Sequence, residues 1–219
     1  MNISFLKDAN LNGKKVLLRC DLNVPLSDAG EIEDNTRIVE SLETIKYILS
    51  HEGKVIILSH LGRPDGKFVE NLKVDVIAKE LENLLKTNVV KLDDCIGDDV
   101  SKELNAMSAE VYLLENTRFH PEEEENDENF AKQLASYADI FVNDAFGTVH
   151  RAHASTAGVA KLLPSYAGLL LQKEIEVLSG LLQNPKKPVC LLTGGAKIDT
   201  KIGILNNFLQ IADSFLIGG

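Results

Sequence analysis

The chain has 219 residues, 44% of them hydrophobic but only 5% aromatic and none Trp, which suits a core built from Val, Ile, Leu and Ala. Its formal charge of −10 excludes a general affinity for nucleic acid or an anionic membrane. No apolar run reaches the roughly 20 residues of a membrane span, and residues 1–8 lack a basic stretch followed by an apolar one, so a cytoplasmic monomer is expected.

Short apolar runs alternate with longer amphipathic stretches. Residues 15–20, 54–59, 89–92, 110–114 and 139–143 read as strands. Between the first two, Ile38, Leu42, Ile45 and Leu49 recur at helical spacing and predict a helix over 38–51. Residues 71–86, 98–104 and 127–137 read the same way, the last opening on the helix-start signal Asn126-Asp127-Glu128. This alternation implies an α/β fold: a parallel sheet flanked by helices on both faces, a Rossmann-like three-layer arrangement.

A second rhythm follows. A helix over 172–183 stops at Asn184-Pro185-Lys186-Lys187-Pro188; then come a strand at 189–193, a Gly-containing turn, a helix at 200–211 and a strand at 214–217. Two strands and one helix cannot cover both faces of a sheet, so this segment reads as an incomplete second α/β domain. The expected division is a first domain over 1–171, a connecting helix over 172–185, and the start of a second domain over 186–219.

Cys20, Cys95 and Cys190 are odd in number and outside metal-ligand spacing, so they are expected as buried free thiols, and no metal ligands are assigned. The five arginines are distributed unlike the eighteen lysines. Arg37 lies in the loop leading to the first helix, and Arg63, Arg118 and Arg151 lie just beyond the second, fourth and fifth strands. His60, His120, His150 and His153 accompany them. Loops after the carboxyl ends of parallel strands line one crevice, where ligands bind. Guanidinium groups suit a bidentate grip on carboxylate or phosphate, so the pattern points to a small, multiply anionic ligand. Taken singly, each arginine equally fits a surface salt bridge; the grouping favours the anion. Glu122 to Glu125 reads as a solvated acidic face, and His51 as a helix-end cation.

As motifs, these loops resemble phosphoglycerate kinase along essentially the whole chain. Asp21-Leu-Asn23-Val-Pro25, Asp34-Asn-Thr-Arg37-Ile, Ser59-His60-Leu-Gly62-Arg63-Pro64, Leu114-Glu-Asn116-Thr-Arg118-Phe-His120, Asn143-Asp-Ala-Phe-Gly147 through His150-Arg151-Ala-His153-Ala-Ser155, and Gly194-Gly195-Ala-Lys197 with Lys201 follow the family's order. The resemblance implies that Asp21, Asn23, Arg37, His60, Arg63, Arg118 and Arg151 hold 3-phosphoglycerate or 1,3-bisphosphoglycerate. It implies that Gly194, Gly195, Lys197 and Lys201 meet the phosphate chain of ATP or ADP, carried with Mg2+, and that Arg37 and Lys197 touch the transferring group. Asp21 is open to a second role, as counter-charge to the arginines. Gly194-Gly195-Ala-Lys197 lacks Walker spacing and by itself is an ordinary strand-to-helix turn. His120 and His153 are expected to orient neighbours. The reaction implied is phosphoryl transfer between ATP and the carboxylate of 3-phosphoglycerate. The family is roughly twice this length, so the chain is expected to be its front half, binding the acid without turnover; the alternative is a stand-alone module for an acidic sugar phosphate.

Overall fold

The structure, a computed structural model, describes residues 3–195 and 202–218. Continuous β-branched and Leu-rich runs form strands because both of their faces can be buried. Six of them lie in one wholly parallel sheet: β1 (Lys15–Arg19), β2 (Lys54–Leu58), β3 (Val89–Lys91), β4 (Val111–Leu113), β5 (Ile140–Asn143) and β6 (Ser165–Ala167), in the order β3-β4-β2-β1-β5-β6. Register is consistent across the centre, with Val16 opposite Val55 and Ile140, and Arg19 opposite Leu58 and Asn143. β1 is therefore central, and its last residue is a charged one. The edge strand β6 was not expected from the sequence; at three residues it is too short to show a period.

Five helices follow in this unit: α1 (Thr36–Ser50), α2 (Asp75–Leu85), α3 (Asp98–Ala106), α4 (Pro121–Glu125) and α5 (Glu128–Ala135). Alternate strand residues feed two separate cores. Val16, Leu18, Val55 and Ile57 pack with Ile38, Ile45 and Ile48 of α1 and Ile77 and Leu81 of α2. Leu17, Ile56, Tyr112 and Phe141 pack on the opposite face with Val100 and Leu104 of α3 and Phe130 and Leu134 of α5. The expected three layers are thus present. The Asp127 carboxylate accepts the Asn129 and Phe130 amides at 2.9 and 2.8 Å, fixing where α5 begins. His51 ends α1, its Nδ1 2.8 Å from the Tyr47 carbonyl, as expected of a helix-end group.

The chain divides into two compact units, Met1–Gln172 and Lys173–Gly219, within the helix α6 (Leu169–Gln183). The second unit holds β7 (Cys190–Thr193), α7 (Ile202–Phe208) and β8 (Ser214–Ile217), with β7 and β8 parallel. Asp213 accepts the Val189 amide at 2.7 Å and pairs with Lys187 at 3.1 Å. Leu192 and Ile217 are about three-quarters exposed, at 74% and 75%. The expectation of three buried thiols is corrected here: Cys20 and Cys95 are buried, but Cys190 is exposed, because this two-stranded sheet has too little around it to cover its faces.

One close contact joins the end of β5 to the start of α6. The buried Asp144 carboxylate accepts the Leu171 amide at 3.0 Å. A Cβ built on Gly168 would lie 2.8 Å from the Asp144 Cβ and nearer still to its carboxylate. Gly168→Ala is expected to lower stability by about 1–3 kcal/mol through forced displacement of that carboxylate, read as a lower urea midpoint; an unchanged midpoint would show that Asp144 moves freely.

Candidate functional site

All seven residues expected to meet the acid lie beyond the carboxyl ends of β1, β2, β4 and β5 or, for Arg37, in the first turn of α1. Several contacts lock the loops together. The Leu22 amide donates to Ser59 Oγ at 3.0 Å, and that hydroxyl donates to the Cys20 carbonyl at 3.1 Å. The Gly62 amide donates to Asn23 Oδ1 at 2.8 Å, which leaves the Asn23 amide nitrogen turned to other partners. Arg118 Nη1 donates to the Gly62 carbonyl at 3.0 Å, and its Nε lies 3.2 Å from Glu124 Oε1. Gly62 is held between the two at φ +63, a conformation that favours glycine. Asn116 braces the same loop, accepting the Leu61 amide and donating to the Leu61 and Leu72 carbonyls.

Arg37, whose side chain is 52% exposed, forms an ion pair with Asp21, so the counter-charge role for Asp21 is present in the structure. Gly147 leaves room for that carboxylate: a Cβ there would come within 2.9 Å of Asp21 Oδ2. Arg63 and Arg151 are exposed and, among the described residues, pair with no carboxylate. Arg118 feels the charge of Arg63 and Arg151. Burial lowers the Arg118 proton affinity, and Arg151 and Arg63 lower it further while Glu124 opposes them. Such mutual repulsion is relieved by an anion. His60 is pushed down to about 2, first by burial and then by Arg19, Arg118, His153 and Arg151. It is neutral at ordinary pH. Arg19 Nη2 lies 3.0 Å from its Nδ1, so Nδ1 accepts and the ring proton sits on Nε2.

The sequence did not single out Arg19, and the acidic run was misread. Arg19 is 1% exposed; its Nε donates to Ser155 Oγ at 2.9 Å. Glu123 is 0% exposed, not part of a solvated face: it accepts the Ser155 hydroxyl at 2.6 Å and the Ser155 amide at 2.8 Å. His153 Nδ1 stands 3.8 Å from the same carboxylate. α4 is only five residues long, so the face that turned Glu123 inward could not be read as a period. A signal for Arg19 existed: a charge that ends a strand buried on both faces must be paired. His120 Nε2 pairs with Asp94 Oδ1 at 2.7 Å.

In the second unit, Gly194 and Gly195 follow β7, Gly195 at φ +109, and a Cβ on Gly194 would lie 3.3 Å from the Gly218 carbonyl. Lys197 and Lys201 lie outside the described residues. Among those described, no helix is long and apolar enough to cross a membrane.

A wholly parallel, helix-flanked sheet with guanidinium groups gathered beyond its strand ends defines a class, the α/β proteins that take a small anionic ligand at the carboxyl edge of the sheet. Comparison with known proteins narrows the class. The family model for phosphoglycerate kinase matches residues 6–219. The phosphoglycerate kinase of Moorella thermoacetica is 55% identical over 98% of this chain, and that of Dictyoglomus turgidum 54% identical over 98%. The structure of phosphoglycerate kinase from Coxiella burnetii superposes with a TM-score of 0.84 at 40% identity, covering 100% of this chain and 55% of that one. The Pyrococcus horikoshii enzyme gives 0.88 at 34% identity, covering 99% and 55%. The chain belongs to the phosphoglycerate kinase family, and it spans about half the length of the curated relatives it matches, 54% in both cases.

Two measurements check the geometry. Glu123→Ala strands Arg19 without its counter-charge and is expected to cost about 3–5 kcal/mol in denaturant unfolding; a loss under about 1 kcal/mol would mean that Arg19 is balanced elsewhere. The His60 ring, followed by nitrogen-resolved NMR, is expected to show no titration between about pH 5 and 8. An unfolded His60 takes up its proton near 6.5 and the folded one near 2. Its contribution to stability is therefore whole above 6.5 and falls with acidification by about 1.4 kcal/mol per pH unit. A ring that titrates near 6.5 would remove the Arg19 contact from the account.

Proposed function

We propose that this chain is the acid-binding part of a phosphoglycerate kinase, which transfers a phosphoryl group reversibly between ATP and the carboxylate of 3-phosphoglycerate. The observation that carries the reading is the convergence of Arg63, Arg118, Arg151 and a neutral His60 at one sheet edge beside the Asp21–Arg37 pair. In this reading residues 1–171 bind 3-phosphoglycerate, 172–185 connect, and 186–219 begin the nucleotide-binding domain.

Each group has a physical task. Arg63, Arg118 and Arg151 take the phosphate oxygens in charge-assisted hydrogen bonds, and His60 donates from Nε2. Asn23, with its Oδ1 occupied by the Gly62 amide, offers its amide nitrogen to the substrate hydroxyl, and Asp21 offers a carboxylate oxygen. Arg37 meets the substrate carboxylate and then the transferring group. A carboxylate is already a nucleophile, so no side-chain base is needed; positioning and neutralisation of equatorial charge carry the reaction.

Gly194 and Gly195, without side chains at a strand end, fit the close approach of a nucleotide's phosphate chain, with Lys197 and Lys201 following. The family's nucleotide is carried with Mg2+. No step here runs through that ion.

Calorimetric titration tests the reading. The 219-residue chain is expected to bind 3-phosphoglycerate, and Mg-ATP weakly or not at all, without turnover. Arg63→Ala, at an exposed position, should weaken the acid by on the order of 1.5–3 kcal/mol with an unaltered melting curve. Unchanged affinity in that variant would overturn the pocket assignment, and ATP-dependent product from the chain alone would overturn the division of labour.

A further inference from the structure

β3 and β4 are hydrogen-bonded neighbours, with Lys91 opposite Leu113, so the segments that leave their carboxyl ends emerge side by side. One carries Asp94 and Cys95, the other His120 just past the turn at Thr117–Phe119. A ligand atom of each, the Asp94 carboxylate oxygen, Cys95 Sγ and a His120 ring nitrogen, lies within 4.8 Å of the other two. Asp94 Oδ1 already stands 2.7 Å from His120 Nε2 and accepts the Cys95 amide at 2.6 Å. Cys95 is wholly buried, while the Asp94 side chain is half exposed, so the group has a closed floor and an open mouth. The mouth opens on a cleft of about 760 Å³ lined by Lys91, Asp93, Asp98, Asp99 and Glu103 as well as Asp94, a surface that concentrates cations.

The geometry points to a binding site for Zn2+ or a similar borderline-soft divalent ion at Asp94, Cys95 and His120, separate from the anion pocket. Carboxylate oxygen, thiolate and imidazole are a donor set that suits Zn2+ and does not suit Mg2+. Tetrahedral bonds of about 2.0–2.3 Å to O, N and S need ligand atoms roughly 3.4–3.7 Å apart, which side-chain rotation reaches from the present spacing without backbone movement. The ion takes the position between Asp94 and His120 now bridged by their hydrogen bond. The Cys95 thiol gives its proton to buffer, nothing is oxidised or reduced, and solvent fills the fourth position. Sequence spacing concealed the set, because Cys95 and His120 are brought together only by the pairing of β3 with β4. His120 lies two residues beyond Arg118, so a bound ion ties the turn that carries Arg118 to the end of β3.

Co2+ is the probe, titrated into the 219-residue chain carrying Cys190→Ser to remove the exposed thiol. One equivalent is expected to produce sulfur-to-cobalt charge-transfer absorption with tetrahedral visible bands. Zn2+ should abolish them, and excess Mg2+ should not. Cys95→Ser should lose the charge-transfer band, and His120→Gln should bind at least about tenfold more weakly. Asp94→Asn, at a half-exposed side chain that the fold tolerates, should also weaken binding, with circular dichroism unchanged. Co2+ bound without charge transfer, a band that persists in Cys95→Ser, or parental affinity in Asp94→Asn would each overturn the site and leave an Asp94–His120 ion pair of purely structural role.

Discussion

The arrangement at the sheet edge depends on two charges that never meet water. Arg19 ends the central strand β1, Glu123 comes from α4, and Ser155 stands between them, accepting from one and donating to the other. Taking ions out of water is costly, and such a pair persists only where hydrogen bonds satisfy both partners and little freedom remains. That requirement fixes three segments at once: β1, the helix beyond β4, and the turn that follows Arg151. The same Arg19 also sets which nitrogen of His60 holds its proton. The outer cations are thus aimed by inner groups that touch no ligand in the proposed reading.

A second feature runs against stability. Arg118 and Arg151 disfavour charge on a buried imidazole, and Arg151 and Arg63 disfavour charge on Arg118. Only Arg118 and Arg37 have carboxylate partners among the described residues. A protein of net charge −10 has ample acids to neutralise the group and keeps most of them elsewhere. A preorganised cluster of like charges is destabilising by itself and favourable only when an anion joins it. An anion joining the group would draw part of its binding energy from relief of that repulsion.

Much of this was legible in the sequence because parallel strands buried on both faces must be apolar throughout. β1 to β5 could be read from that rule, and α1 from Ile38, Leu42, Ile45 and Leu49. The arginine loops were readable because four of the five arginines are grouped there, with histidines beside them. What stayed hidden was short or paired at long range. β6 has three residues and α4 five, too few repeats for a period to declare itself. Arg19 and Glu123 look, in sequence, like one more strand-end cation and one more acid in a run of four; only their convergence on Ser155 gives them direction. Cys190 was expected to be buried by analogy with Cys20 and Cys95, an inference that holds only where a sheet has two covered faces.

The neutrality of His60 has a consequence for how this pocket would report on its surroundings. The cations that face it are guanidinium groups, whose charge is permanent across any physiological acidity. His60 is an acid–base spectator among them. A phosphomonoester, by contrast, gains its second negative charge near pH 6. Across that step the guest would change its charge while His60 and the guanidinium groups beside it keep theirs.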